Sequence, residues 1–320
     1  MSAGEIIGVD LGGTKMLLGV LDPDSKVLWE SREGSTGQTE EELVDLLVRE
    51  IGEAHQHCSG VAGIGLGIPA TIDHERGVAV SAVNLPLANL PIRDLVSERT
   101  DLPVFVDNDA NVATLAEHLY GAARGARNAV MLTIGTGIGG GLILGGEVYR
   151  GSTGAGAELG HTVIEVDGPR CQGNCPGRGC IETLASGTAI GREGRSAAER
   201  EPGSELGRML ATGETIDGKA VTDAALAGDA TARGVFDLVG SRLGVALTSF
   251  ANIFEPEVFV IGGGAIAAGD LLLEPARRAL EERALPPMKR IPVVAAELGP
   301  DAGMIGAAAM ARIELEGREG

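Results

Sequence analysis

The sequence predicts an α/β fold made of two related halves. Three observations carry that prediction. Strand-like and helix-like segments alternate along the chain. A strand, a glycine-rich turn and a second strand occupy 5–21 (EIIGVDLGGTKMLLGVL), and the same arrangement returns at 128–151 (NAVMLTIGTGIGGGLILGGEVYRG). The chain has 320 residues, which is long for one hydrophobic core and suited to two.

In chain order, the pair at 5–21 is followed by VLWES (27–31) as a third strand. Leu43, Leu46, Leu47 and Ile51 recur at helical spacing within 40–57. VAGIGLGIP (61–69) reads as a short buried strand and PVFVDND (103–109) as another. The latter runs into a helix with Val112, Leu115, Ala116 and Leu119 on one face, so Asn108 and Asp109 fall where a strand ends and a helix begins. Residues 191–220 are polar and irregular, expected as a surface helix with loops. A long helix over 233–254 stops before Pro256. EVFVIGGGAIAAG (257–269) is a strand and glycine turn, IPVVAAEL (291–298) a strand, and 303–315 a last helix.

Charged residues are 22% of the chain and hydrophobic ones 44%, as in an ordinary folded protein, but there are 50 glycines and only 2% aromatics. The glycines cluster in DLGGT, GTGIGGG and IGGGA, where turns would approach a ligand closely. A net charge of −19 with no basic stripe argues against nucleic acid as a partner. The opening MSAGEIIGVD has no charged n-region followed by an apolar stretch, so no signal peptide is expected, and no run of about 18 apolar residues predicts a membrane span. A cytoplasmic location, which keeps thiols reduced, is expected.

Asp10-Leu11-Gly12-Gly13-Thr14-Lys15 is the first chemical candidate. Gly12 and Gly13 leave backbone N–H groups open to a phosphate, Thr14 adds a hydroxyl, Lys15 a cation, and Asp10 a ligand for Mg²⁺. The run Gly135-Thr136-Gly137-Ile138-Gly139-Gly140-Gly141 repeats this logic, and Gly262-Gly263-Gly264 follows a strand where a flat base can lie on backbone. Gly135–Gly140 matches GxGxxG, yet strand-like LILGGEV follows where a dinucleotide site needs a helix. Each run alone is equally a tight hairpin; three in one chain favour a bound nucleotide. Asp109 likewise carries two readings. It is a helix cap, or a carboxylate held by a helix start to accept a hydroxyl proton.

His161, Cys171, Cys175 and Cys180 form a Cys₃His set, with nine, three and four residues between successive members. Pro176 and four glycines between 168 and 179 allow a short loop to wrap a Zn²⁺ ion, and no large apolar side chain in 167–180 could build a core instead. Four protein ligands would make the zinc structural. Cys175 and Cys180 have four residues between them rather than the two of a redox dithiol. Cys58 reads as a buried small hydrophobe.

DLGGTK, GTGIGGG and IGGG in this order resemble the ROK family (repressors, open reading frames and kinases) of actin-like sugar kinases, from Gly8 to about Ala311. The resemblance implies two actin-like (ribonuclease H-like) ATPase domains with a cleft between them: 1–110 plus about 302–320, and a larger one at 111–301 with a zinc loop at 161–182. It implies that Asp107-Asn108-Asp109-Ala110-Asn111 holds the family's sugar-binding Asn-Asp pair, with Asp109 as general base and Asn108 a sugar contact. AELGH (157–161) and GCIE (179–182) resemble the family's sugar motifs, implying contacts from Glu158 and Glu182 and a double role for His161, toward sugar and metal. Asp10, Gly12, Gly13, Thr14, Lys15, Thr136, Gly137, Gly263 and Gly264 would hold ATP and Mg²⁺. The family spacing has one residue between its first two cysteines; here Gln172, Gly173 and Asn174 intervene. The activity implied is phosphoryl transfer from ATP to the 6-hydroxyl of glucose. The alternatives are N-acetylmannosamine, N-acetylglucosamine, mannose or fructose as acceptor, with polyphosphate as a possible donor. A sugar-responsive DNA-binding regulator would need a helix-turn-helix, for which no room is expected ahead of residue 5. The family also implies a homodimer or a dimer of dimers.

Overall fold

A computed structural model describes residues 4–319 apart from 36, 59, 83, 84 and 174. Asn174, in the cysteine loop, thus lies outside the described residues. The elements of the first half are β1 (Glu5–Leu11), β2 (Lys15–Leu21), β3 (Val27–Gly34), α1 (Glu40–Gln56), β4 (Val61–Ile68), β5 (Ala70–Asp73), β6 (Val78–Ala82), β7 (Ala88–Leu90), α2 (Ile92–Thr100) and β8 (Val104–Asn108). Then come α3 (Asp109–Tyr120), β9 (Ala129–Ile134), β10 (Ile138–Leu144), β11 (Glu147–Val148), α4 (Ile181–Ala185), α5 (Gly187–Arg200), α6 (Glu205–Thr212) and α7 (Gly218–Leu226). The chain ends with α8 (Ala230–Phe254), β12 (Val258–Gly262), α9 (Asp270–Arg283), β13 (Val293–Ala295) and α10 (Ala302–Glu319).

The two halves are related in topology. One five-stranded sheet has the order β3-β2-β1-β4-β8 and the other β11-β10-β9-β12-β13. In each, the first three strands form an antiparallel meander and the last two lie parallel to its first strand. Strands β1 and β4 are almost wholly buried because helices cover both faces of this sheet. The repeat expected from the two glycine-turn openings is therefore a repeat of whole sheets.

Helix α10 lies on the first sheet, against β1, β4 and α3. Glycines make the close approach possible: a Cβ at Gly8 would stand 2.2 Å from the Met304 carbonyl oxygen, and one at Gly65 1.8 Å from that of Ala307. Two links join the halves, the β8–α3–β9 stretch and the 296–302 segment leading into α10. Glu117 of α3 ties them together. It is fully buried, and its carboxylate accepts N–H groups from Ala122, Glu297 and Leu298.

Three expectations are corrected, and some elements had gone unread. Residues 191–220 are not loops around one helix but belong to α5, α6 and α7, whose N-caps Ser186, Ser204 and Asp217 each bond a first-turn N–H. Strand β13 is shorter than 291–298. The small sheet β5-β6-β7 and helices α2 and α9 have patterns too short or too broken to read. Cys58 is half-buried at the margin of the first core, where its thiol donates to the Ala54 carbonyl oxygen. Helix α8 is, among the described residues, the one helix long and apolar enough to cross a bilayer, with mean hydropathy 1.2; it lies in the second hydrophobic core.

Candidate active site

The strand–helix junction predicted at Asn108–Asp109 is present, and it separates the two readings of Asp109. Asn108 is the N-cap of α3: its Oδ1 accepts N–H groups from Ala110 at 2.9 Å and Asn111 at 3.2 Å. Its amide also donates to the Ala70 carbonyl oxygen at 3.2 Å, which leaves one amide proton for a ligand. Asp109 is the first helical residue and is not needed as the cap. Burial pushes its carboxyl up to about 6; the Ala110 N–H opposes this, and the Glu158 carboxylate adds to the rise.

Asp109 stands in a row of acids. Burial and then the Asp109 charge push Asp10 up to about 7. Burial raises Glu158 as well, His161 opposes that rise, and Glu182 adds to it. Asp10, Asp109, Glu158 and Glu182 therefore feel one another in sequence, although they come from β1, α3, the 149–161 loop and α4. Such a row suits hydroxyl donors and a divalent cation. Glu158 precedes a single 3₁₀ turn, Leu159–His161, which sets Glu158 and His161 one turn apart as their spacing suggested.

A residue that sequence reasoning missed braces this row. Arg150 donates from Nε to the buried Asp107 at 2.7 Å, and Asp107 also accepts the Asn111 amide at 2.9 Å. This pair ties the loop that carries Glu158 to the strand end that carries Asn108 and Asp109. Arg150 stands alone in a glycine-rich segment, so no spacing signal marked it.

The glycine runs divide by function. A cavity of about 970 Å³ is lined by Gly135, Thr136, Gly187, Thr188, Ile190 and Gly264 among others. It gathers Thr136 and Gly264 as expected and adds Gly187 and Thr188 at the start of α5. The Gly-Thr doublet after the Ser186 cap was the available signal for those two. Gly263 has φ +82° and sits against the Ile134 backbone. Gly137 adjoins the cavity beside Glu182. Gly139, Gly140 and Gly141, read as part of a phosphate loop, belong to β10. A Cβ at 140 would stand 2.6 Å from the Ala157 oxygen, and one at 141 2.0 Å from Thr114 Oγ1, so they are packing glycines. The Gly12–Lys15 turn is a tight hairpin closed by the Gly12 N–H on the Lys15 oxygen at 2.8 Å, with Thr14 and Lys15 exposed. It does not line the cavity; it reaches the acidic row through Asp10.

The cysteines are free thiols. One donor atom each from His161, Cys171, Cys175 and Cys180 lies within 4.8 Å of the others. His161 Nδ1 faces Cys171 Sγ at 3.4 Å, which leaves Nε2 for another partner. Gly177 shapes the cradle: a Cβ there would stand 3.1 Å from Cys180 Sγ and 3.3 Å from Cys175 Sγ. Burial and then the neighbouring sulfurs push Cys171 up to about 12. The residues fit a tetrahedral Cys₃His zinc site. The longer Cys171–Cys175 interval does not remove Cys171 from it.

Two related five-stranded sheets, a cavity at a helix start and a row of neighbouring carboxylates fit a nucleotide-dependent enzyme acting on a polyhydroxylated acceptor. The chain belongs to the ROK family, whose model matches residues 6–314. It is 38% identical to a glucokinase of Thermotoga maritima over 98% of this chain and 99% of that protein. A ROK family glucokinase of Streptomyces griseus, solved with glucose and AMPPNP, superposes with TM-score 0.85 at 35% identity, covering 97% of this chain and all of that one. A ROK hexokinase of Thermus thermophilus superposes with TM-score 0.78, also at 35% identity, covering 99% of this chain and all of that one. The fold is thus the two-domain actin-like α/β fold, as expected.

Proposed function

We propose that this protein phosphorylates glucose at its 6-hydroxyl with ATP as donor. The observation that carries this reading is Asp109, a half-buried carboxylate at the head of α3 with its pKa raised to about 6 and the capping role already filled by Asn108. A base poised just below neutral pH accepts the hydroxyl proton as the oxygen attacks the terminal phosphoryl group. Full-length similarity to glucokinases supports the substrate pair. The free Asn108 amide proton, Glu158, His161 Nε2 and Glu182 orient the sugar. Thr136, Gly137, Gly263 and Gly264 hold the nucleotide with Gly187 and Thr188, and Gly12, Gly13, Thr14 and Lys15 face its phosphates. Asp10 would hold Mg²⁺, which when bound offsets charge on the transferring group. A structural zinc on His161, Cys171, Cys175 and Cys180 would fix the loop ending at Glu182.

In this reading the domains are 1–110 with about 302–320, and 111–301, and their closure excludes water. The chain acts in the cytoplasm as a homodimer or a dimer of dimers; light scattering tests the assembly. ADP release across a panel of hexoses with ATP and Mg²⁺ tests the function. Glucose should turn over fastest, and Asp109→Asn should lower kcat at least about a hundredfold while glucose still binds. No turnover on any hexose, or a near-normal kcat for the variant, refutes it.

A further inference from the structure

Glu182 touches more than the sugar side of the cleft. Its Oε2 accepts the Ile138 N–H at 2.9 Å, so one carboxylate oxygen is bonded to the turn that lines the nucleotide cavity. The other oxygen remains for a sugar hydroxyl. The carboxylate fills the space beside Gly137. A Cβ at Gly137 would stand 2.3 Å from Glu182 Oε2, 3.1 Å from Cδ and 3.8 Å from Cγ.

The same short segment is fastened to this turn twice more. The Gly187 N–H donates to the Gly135 oxygen at 2.8 Å, and Thr188 Oγ1 donates to the Thr136 oxygen at 2.8 Å. Residues 182–188 thus run from the sugar side to the nucleotide cavity while bonded to 135–138 at both ends. The segment starts two residues after Cys180 and has no slack at its origin.

We propose that Glu182 is a positioning residue that couples the two substrate sites, so that a sugar held by one carboxylate oxygen fixes the nucleotide turn through the other. This rests on the kinase reading above. A ligand on Oε1 restricts the carboxylate to the orientation in which Oε2 meets the Ile138 N–H. The turn is then held in the conformation that accepts the nucleotide, and by reciprocity the nucleotide tightens the sugar.

Gly137→Ala tests this from the nucleotide turn, displacing the Glu182 carboxylate without removing it. Gly137 does not have positive φ, so alanine is conformationally admissible. The nearest atoms its Cβ meets all belong to the flexible end of Glu182, so the carboxylate yields and the fold does not. Calorimetric titration of glucose with no nucleotide present should then show Kd raised about tenfold, the loss of one well-placed charged hydrogen bond. A glucose Kd within about twofold of the native value overturns the proposal. Conversely, Glu182→Ala should weaken AMPPNP binding in the absence of sugar. In the native chain saturating glucose should tighten AMPPNP by about fivefold or more, and in both variants that gain should disappear. Undiminished AMPPNP affinity and tightening in Glu182→Ala would make Glu182 a sugar contact only. A native chain that binds no glucose at all fails the kinase reading itself and overturns both.

Discussion

Replacing Asp10 by Asn should stabilise the empty protein while disabling it. The Asp10 carboxylate is packed against the start of α10, so tightly that a Cβ at Gly303 would stand 2.5 Å from it. Burial, reinforced by Asp109, raises its pKa from 3.8 to about 7. That rise spans roughly three pH units, and at about 1.4 kcal/mol for each the charged form costs the fold about 4 kcal/mol. The sign follows from proton binding. Between pH 4 and 7 the folded chain holds a proton that the unfolded chain has lost. Stability from this group is therefore complete below pH 4 and falls until the folded carboxyl ionises near pH 7. Asn cannot ionise and escapes the loss. Urea unfolding of both chains without nucleotide or metal should show the advantage of Asp10→Asn growing by about 3 kcal/mol between pH 4.5 and 8, then levelling off. Turnover should nonetheless collapse, because the carboxylate for Mg²⁺ is gone. An advantage that is the same at both pH values would refute the claim that Asp10 is a buried acid held against its preference.

Three further outcomes are expected. Because Asp109 must be ionised to accept a proton and its pKa is raised to about 6, kcat/KM should fall tenfold per pH unit below that value, rather than below the 3.8 of an ordinary aspartate; a profile flat to pH 5 removes Asp109 as the base. Elemental analysis should find about one zinc per chain, and Cys175→Ser should lose the metal, lower Tm by about 5 °C and raise the glucose KM more than it lowers kcat; a metal-free protein with native Tm refutes the site. Arg150→Met strands the buried Asp107 carboxylate, and since the arginine side chain is 25% exposed the cost should be about 2–3 kcal/mol, largely recovered by adding Asp107→Asn; equal urea midpoints for native and single variant would show that the pair braces nothing.

The sequence made the main elements and the positions of Asp10 and Asp109 legible for a physical reason. Long apolar strands and a helix with one apolar face declare themselves by period. Asp109 stood out as a cap or a base by lying between such a strand and such a helix; the resemblance to the ROK family chose the base and alone singled out Glu158 and Glu182. The Cys₃His set was legible because thiols are rare in this chain and their spacing is short. Arg150 and Glu117 were not. Each acts through a partner distant in sequence, Asp107 for the first and the 297–298 backbone for the second, and nothing local distinguishes them from solvated surface charges. Helices α5 to α7 were missed because glycine and polar residues dilute their periodicity, and three caps plus burial against α8 outweigh that weak local preference.

The glycines show where composition misleads and what resolves it. A cluster of glycines reports that the backbone there is crowded or must turn, without saying what crowds it. At Gly8 and Gly65 the crowding element is helix α10, at Gly140 and Gly141 it is the 157–159 stretch and α3, and at Gly137 it is a single carboxylate. Gly135 and Gly264 have no atom within 4 Å of where a Cβ would be, and both line the large cavity. At Gly135 and Gly264 the missing side chain leaves room beside the cavity, whereas at Gly8, Gly65, Gly140 and Gly141 it lets elements of the fold pack. Runs that look alike in sequence, GTGIGGG above all, contain both kinds. Gly137 stands between them, pressed by a side chain that can move, and for that reason it is where the nucleotide turn and the sugar site can exchange information.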